Sequence, residues 1–277
     1  MPAGTLYIVA TPIGNLEDIT LRALRILKEA DLIAAEDTRH SRKLLTHFGI
    51  SRPLTSYFDH NKDLKGEYIL ERLQQGLNVA LVTDAGTPCI SDPGYQLVRD
   101  AVAAGVNVVP IPGACAAITA LSASGLATDN FTFAGFLPNR QGKRRERLQS
   151  LAGERALLIF YESPKRVLAT LRDMLETLGD REVVVARELT KMYEEFLRGK
   201  LSALIEQAEL REIRGEVAIL VTPAGEPALP DIPEMEELLS RYLASGELSL
   251  KDAVKRVTLE TGLPKSAVYA EALRQKG

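Results

Sequence analysis

A chain of 277 residues, 45% hydrophobic and 26% charged, is long enough for two compact domains and apolar enough to bury their cores. With 34 basic against 37 acidic side chains the net charge is −3, which excludes a surface coated in positive charge and leaves room for a local basic patch. Two cysteines without a CxxC, three scattered histidines (His40, His47, His60) and no apolar run near the roughly 20 residues of a membrane span disfavour a disulfide scaffold, a metal site and a membrane protein.

The start, Met1 to Ala10, lacks the basic and long apolar stretches of a secretory leader, so a cytoplasmic protein is expected. Thr5 to Ala10 reads as a strand and Asp18 to Ala30 as a helix with Leu21, Leu24 and Leu27 on one face. Asp31 to Ala35 is a second strand, Ser41 to Phe48 a helix and Leu54 to Tyr57 a short strand. Lys65 to Gln75 is a helix closed by Gly76, a common residue just past a helix end. Asn78 to Val82, a helix from Tyr95 to Ala104, and Val106 to Ile111 complete a βαβ series, which implies a mostly parallel sheet with helices on its faces.

Beyond a small-residue helix, Ala114 to Gly125, the texture changes. Strands are expected at Phe131 to Phe136, Ala156 to Tyr161, Glu182 to Ala186, Glu195 to Arg198 and Glu216 to Val221, with one strong amphipathic helix, Pro164 to Leu178. Short links between strands suggest a mixed sheet. Pro223, Pro227, Pro230 and Pro233 mark a linker, followed by helices at Glu234 to Ala244, Leu250 to Thr261 and Pro264 to Gln275. The expected organisation is α/β: a parallel-sheet domain over 1–114, a mixed-sheet α/β domain over 115–224, and a linker with a small C-terminal helical unit over 225–277. The last piece has helix-turn-helix-like spacing, which alone is weak evidence. It reads as a helical cap on the second domain ahead of an RNA-contacting appendage.

Four loops follow strands of the first half: Thr11 to Asn15, Glu36 to His40, Asp84 to Pro88 and Pro112 to Ala116. A parallel sheet brings such ends to one side, where open α/β sheets bind ligands. The third loop belongs to Val82 to Gly94, which spends about ten residues where a connection needs two to six. Asp84 suits a polar or cationic group; amides around Gly86 and Ala114 to Ala116 suit a carboxylate or an adenine edge. Neither GxGxxG nor GxxxxGK[ST] is present, and GxSxG is absent too, so the common nucleotide and hydrolase fingerprints are missing. Glu36 to His40 is either a solvated helix start capped by Asp37 or Thr38 or part of the crevice. Arg140 to Arg147, the densest basic run, is either a solvated helix face or a patch for an RNA backbone.

Together these motifs resemble the tetrapyrrole methylase superfamily, the class III S-adenosylmethionine methyltransferases. They are most similar to the branch that methylates the ribose 2′-oxygen of a cytidine (position 1402) in 16S ribosomal RNA. The resemblance is carried by Leu6 to Thr20, Ala34 to His40, Asp84 to Gly94, Pro112 to Leu121, Gly135 to Pro138, Phe160 to Ser163 and Ala186 to Lys191.

It implies two α/β domains with S-adenosylmethionine in the cleft between them, and a homodimer acting on 16S rRNA within the small ribosomal subunit. Pro12, Ile13, Asp84, Gly86, Thr87, Ile90, Cys115, Ala116, Tyr161 and Leu189 are then expected around the cofactor. Glu36, Asp37, His40 and Glu188 are the candidates for a general base. Arg39, Lys143, Arg144 and Arg145 are assigned to RNA phosphate. Competing readings are methylation of a corrin or porphyrin precursor, diphthamide synthesis, and a non-catalytic RNA-binding assembly factor.

Overall fold

The computed structural model describes residues 2–58, 61–211, 213–224, 232–244, 248–261, 263 and 265–276. His60, Pro227 and Pro230 lie outside them. Met1–Pro223 form one compact unit and Ala224–Gly277 a second.

Five parallel strands build the first sheet: β1 (Thr5–Val9), β2 (Leu32–Ala35), β3 (Leu54–Ser56), β4 (Val79–Val82) and β5 (Asn107–Ile111), in the order β3-β2-β4-β1-β5. Strands β2 and β4 are buried at every position, as expected of a parallel sheet covered on both faces. Helices α1 (Leu21–Glu29) and α2 (Thr38–His47) supply Ala23, Ile26, Leu27 and Leu45 to the core on one face. On the other, α3 (Lys62–Gln74) and α4 (Tyr95–Ala103) supply Ile69, Leu73, Leu97 and Ala101. The expected face of α1 is rotated: Leu21, next to the Thr20 cap, is 87% exposed, and Ala23, Ile26 and Leu27 form the buried face. Gly76, at φ +92°, ends α3 as the sequence suggests.

Helix α5 (Ala116–Ala123) opens the second half and packs Ala117, Ala120 and Leu121 against the second sheet. That sheet contains β6 (Phe131–Phe136), β7 (Leu157–Glu162), β8 (Glu182–Arg187), β9 (Glu195–Lys200) and β10 (Val217–Val221), ordered β6-β7-β10-β8-β9. Only β6 and β7 are parallel; the other pairs are antiparallel, so the sheet is mixed as expected. Its far face carries α6 (Gln141–Ser150), α7 (Val167–Leu178) and α8 (Leu201–Leu210).

In the C-terminal unit, α9 (Ile232–Ala244), α10 (Leu250–Thr261) and α11 (Lys265–Lys276) pack Leu239, Val254, Val257, Val268 and Ala272 into a core of their own. Among the described residues no helix is long and apolar enough to cross a membrane.

Candidate active site

A cavity of about 360 Å³ opens between the two sheets, within the roughly 300–1,000 Å³ range of small-molecule sites. Ile13 comes from the loop after β1, and Ala85, Gly86, Thr87, Ile90, Ser91 and Asp92 from the loop after β4. Cys115 and Ala116 stand at the start of α5. The second sheet contributes Phe136, the stretch from Tyr161 to Pro164, Leu189, and the strand start Glu216 to Ala218. In the first sheet the chain runs from β1 to β2 on one side and from β4 to β5 on the other, so the cavity sits at the reversal of strand order.

Backbone bonds hold these loops in place. The Thr11 amide donates to the Gly86 carbonyl (2.9 Å) and the Gly86 amide to the Thr11 carbonyl (3.1 Å). Gly86 sits at φ +85°, a conformation that favours glycine. Its N–H is thereby occupied and is not free for a ligand. The Thr87 hydroxyl donates to the Ala114 carbonyl (3.0 Å), joining the loops after β4 and β5. At Gly14 a Cβ would lie 2.5 Å from Lys191 Cγ and 2.9 Å from Thr190 Oγ1. The absent side chain lets the first loop dock on the segment after β8, where the Asn15 amide donates to Thr190 Oγ1 (3.0 Å).

Tyr161 forms the opposite wall. Its hydroxyl accepts from the Ala117 amide in the first turn of α5 (2.9 Å), and its ring meets Phe133 and Phe136 edge-on at 4.9 and 5.6 Å. Burial pushes the phenol well above its ordinary pKa, with the Cys115 thiol adding to the effect. Among the described residues no acceptor is found for the amides of Cys115 and Ala116, two residues that line the cavity at a helix start.

Eight of the ten expected cofactor residues line this cavity: Ile13, Gly86, Thr87, Ile90, Cys115, Ala116, Tyr161 and Leu189. The other two do not. Pro12 is buried beside the bridge, and the Asp84 carboxylate accepts from the Asp37 amide (3.1 Å), so it fixes the start of α2. Burial raises the Asp84 pKa, the Asp37 amide opposes this, and Glu36 adds to it.

None of the four candidate bases lines the cavity. Glu36 accepts the Thr83 hydroxyl (2.6 Å). Asp37 accepts the Arg39 amide at the α2 start and pairs with the Arg39 guanidinium (2.8 Å), whose hydrogen bonds hold its carboxyl far below the usual range. Glu188, at φ +51°, folds back onto Lys191 Nζ (3.0 Å) and the Glu216 amide (3.1 Å). His40 is exposed on the first turn of α2, in the neighbourhood of Asp84.

Three carboxylate residues do reach the wall, Asp92, Glu162 and Glu216; Glu162 is held by Thr170 and Arg166 and Glu216 pairs with Lys191, which leaves Asp92, in the long loop, with no ion-pair partner among the described residues. Motif reading passes over Asp92, Phe136, Glu162 and the start of β10. They come together only once β10 inserts between β7 and β8.

The RNA assignments separate as well. Lys143 is exposed. Arg144 is not: its side chain is 6% exposed and bonds Asp173 at 2.6 Å, itself 1% exposed. The helical phase of α6 turns this arginine inward against α7, so it is a structural ion pair. Arg145 is shared between Asp173 (2.8 Å) and Glu176 (2.5 Å). Arg39 instead joins Arg42, Lys43, Thr46 and His47 around a shallow concavity along α2. Among the described residues no group of three His, Cys, Asp or Glu could hold a metal.

The fold has counterparts in solved structures. Diphthine synthase superposes with a TM-score of 0.62 at 15% identity, over 79% of this chain and 90% of that one. A cobalt precorrin-4 methyltransferase gives 0.60 at 20%, over 80% and 96%. A uroporphyrin-III C-methyltransferase from Thermus thermophilus, in complex with S-adenosyl homocysteine, gives 0.56 at 21%, over 78% and 97%. These likenesses define the fold: two α/β sheets, as in those three structures.

The chain belongs to the Tetrapyrrole (Corrin/Porphyrin) Methylases, which residues 5–205 match; residues 230–276 match the RsmI C-terminal HTH domain. Its relatives include proteins named Ribosomal RNA small subunit methyltransferase I. That of Halalkalibacterium halodurans is 52% identical, over 96% of this chain and 93% of the relative. That of Pseudomonas aeruginosa is 48% identical, over 100% and 99%. That of Bacillus subtilis is 46% identical, over 96% and 93%. The methyl donor of this family is S-adenosylmethionine. The cavity fits it in volume, in its apolar and aromatic walls, and in offering unpaired amides and the Asp92 carboxylate.

Proposed function

We propose that this enzyme methylates the ribose 2′-oxygen of cytidine 1402 in 16S ribosomal RNA, within the small subunit, as a cytoplasmic homodimer. The reading is carried by the cavity between the sheets, in a chain that shares about half its residues with rRNA methyltransferases over its full length. When bound, S-adenosylmethionine supplies an electrophilic methyl group.

The chain's own residues hold and orient the reactants, and positioning contributes much of the rate of such a transfer. Ile13, Ile90 and Leu189 exclude water from the cavity. The Cys115 and Ala116 amides offer donors to the cofactor's polar edge. Arg39, Arg42 and Lys43 along α2, with Lys143 on α6, contact RNA phosphates. The exposed Arg39–Asp37 pair contributes little to stability, so Arg39 is free to exchange its partner for a phosphate. Of the four candidate bases, Glu36, Asp37 and Glu188 are held by protein partners, which leaves His40 to accept the 2′-hydroxyl proton.

The test offers labelled donor to purified small subunits, to protein-free 16S RNA and to a uroporphyrinogen-type tetrapyrrole. Incorporation into small subunits supports the reading. Incorporation into the tetrapyrrole alone overturns it in favour of pigment methylation, and none in any substrate favours a non-catalytic assembly factor.

A further inference from the structure

Several well-held carboxylates of the two-sheet unit have a cationic partner. Asp173 has Arg144 and Arg145, Glu162 has Arg166, Glu188 has Lys191, and Glu195 has Arg187 and Arg211. Asp92 differs. It lines the cavity, and the charged groups acting on it are both carboxylates, Glu36 at the end of β2 and Asp84 after β4. Thr83 lies beside it and favours the ionised form, while its hydroxyl donates to Glu36. Cys89 in the same loop and Tyr161 across the cavity are kept neutral, the thiol pushed up to about 11 by burial and by Asp92 itself. A half-buried carboxylate with like charges behind it and a ligand space in front is completed by a cation that the ligand brings.

We propose that Asp92 is the residue that distinguishes the charged methyl donor from its neutral product. S-adenosylmethionine and S-adenosylhomocysteine share an α-amino group, a carboxylate and an adenosine; they differ in one methyl group and one positive charge, the sulfonium. This rests on the cavity being the cofactor site. Without ligand, burial raises the Asp92 carboxyl, Glu36 adds to this, and Thr83 opposes it, leaving a pKa of about 6. A sulfonium in the cavity favours the ionised form, so donor binding drives the proton off Asp92. After methyl transfer the ligand is neutral, the proton returns from solvent, and the product loses the attraction that held the donor.

The size follows from linkage. If the donor restores Asp92 to the ordinary aspartate range near 4, the shift is about two units and the charge-dependent preference is on the order of 100-fold near neutral pH. Donor affinity then falls about tenfold between pH 7.5 and pH 5, because the free enzyme takes up a proton that the donor complex does not. Product affinity does not follow this fall. Groups common to both ligands cancel in the ratio of their affinities.

Calorimetric titration of the full-length enzyme with S-adenosylmethionine and S-adenosylhomocysteine, at pH 5.0 and 7.5, tests this in the wild type, Asp92→Asn and Ala116→Phe, the last chosen to block the cavity. The donor-to-product affinity ratio is expected to drop about tenfold at pH 5 in the wild type and to be low and flat in Asp92→Asn. A flat wild-type ratio, or an unchanged slope in Asp92→Asn, overturns the proposal. Equal weakening of both ligands in Asp92→Asn also overturns it, because Asp92 then holds a group they share. If Ala116→Phe keeps both affinities, the cavity reading itself has failed; if it abolishes both while Asp92→Asn changes nothing, only the role of Asp92 has. Proton release by the wild type at pH 6, counted in two buffers of different ionisation enthalpy, is expected with the donor and not with the product, and needs no variant.

Discussion

Replacing Asp173 by Asn removes one negative charge from the joint between α6 and α7. Its carboxylate accepts from Arg144 Nε (2.7 Å), Arg145 Nε (2.8 Å) and Gln141 Nε2 (3.1 Å). Arg145 is 38% exposed, and water can replace its lost partner at little cost. Arg144 is 6% exposed and would keep a buried guanidinium without a counter-charge. Breaking a buried pair in this way costs about 3–5 kcal/mol, and at about 2–4 °C per kcal/mol for domains of 150–250 residues that is a fall in Tm of about 6–20 °C.

The effect has a sign in pH. Burial raises the Asp173 pKa, but the hydrogen bonds from Arg145, Gln141 and Arg144 together outweigh it and leave it below the ordinary value. The contribution is therefore fully present above the unfolded aspartate pKa, near 3.9, and is lost as pH falls through the lower folded value. Scanning calorimetry of wild type and Asp173→Asn is expected to show the full gap from pH 5 to 7.5 and a closing gap below about pH 4. A gap under about 2 °C at neutral pH, or one that widens in acid, would refute a buried, charge-dependent lock.

Other outcomes follow from the same geometry. Arg42→Ala and Lys43→Ala should each weaken RNA binding and lower the salt slope by roughly one per phosphate contact, whereas Arg144→Ala should lower Tm and leave that slope unchanged; filter binding across a salt series distinguishes them. Gly14→Ala places a Cβ against Lys191 and Thr190, so the loop must withdraw, and donor affinity measured by calorimetry should fall about tenfold or more. His40→Ala should reduce kcat by about 10²–10⁴, the range for a lost general base, with donor affinity unchanged; a change confined to KM would assign His40 to binding.

The four strand-end loops were legible because parallel order follows from βαβ patterning, and parallel order alone brings those loops to one side. Tyr161 and Leu189 came from the family resemblance, since nothing in local sequence says that a second sheet supplies the opposite wall. The basic run on α6 misled for a different reason. A helix whose visible residues are nearly all polar gives no hydrophobic phase to orient it, and the partner that buries Arg144 lies 29 residues away. Helix α8 was missed although Leu201, Leu204 and Ile205 have helical spacing, because strand-like runs on either side dominate that stretch. Asp92 lies within the long loop, and nothing in the local sequence sets it apart. Its distinction is a place on the cavity wall with no ion-pair partner among the described residues, which only the assembled cavity reveals.

The central claim is the atom that receives the methyl group. The most direct measurement is transfer from labelled donor to small ribosomal subunits, followed by alkaline hydrolysis and mapping of the resistant linkage, since a 2′-O-methyl group removes the nucleophile that cleaves RNA in base. A single resistant step at cytidine 1402, carrying the label and absent when enzyme is omitted, is expected. Label on a base, at another nucleotide, or absent from RNA altogether would contradict it.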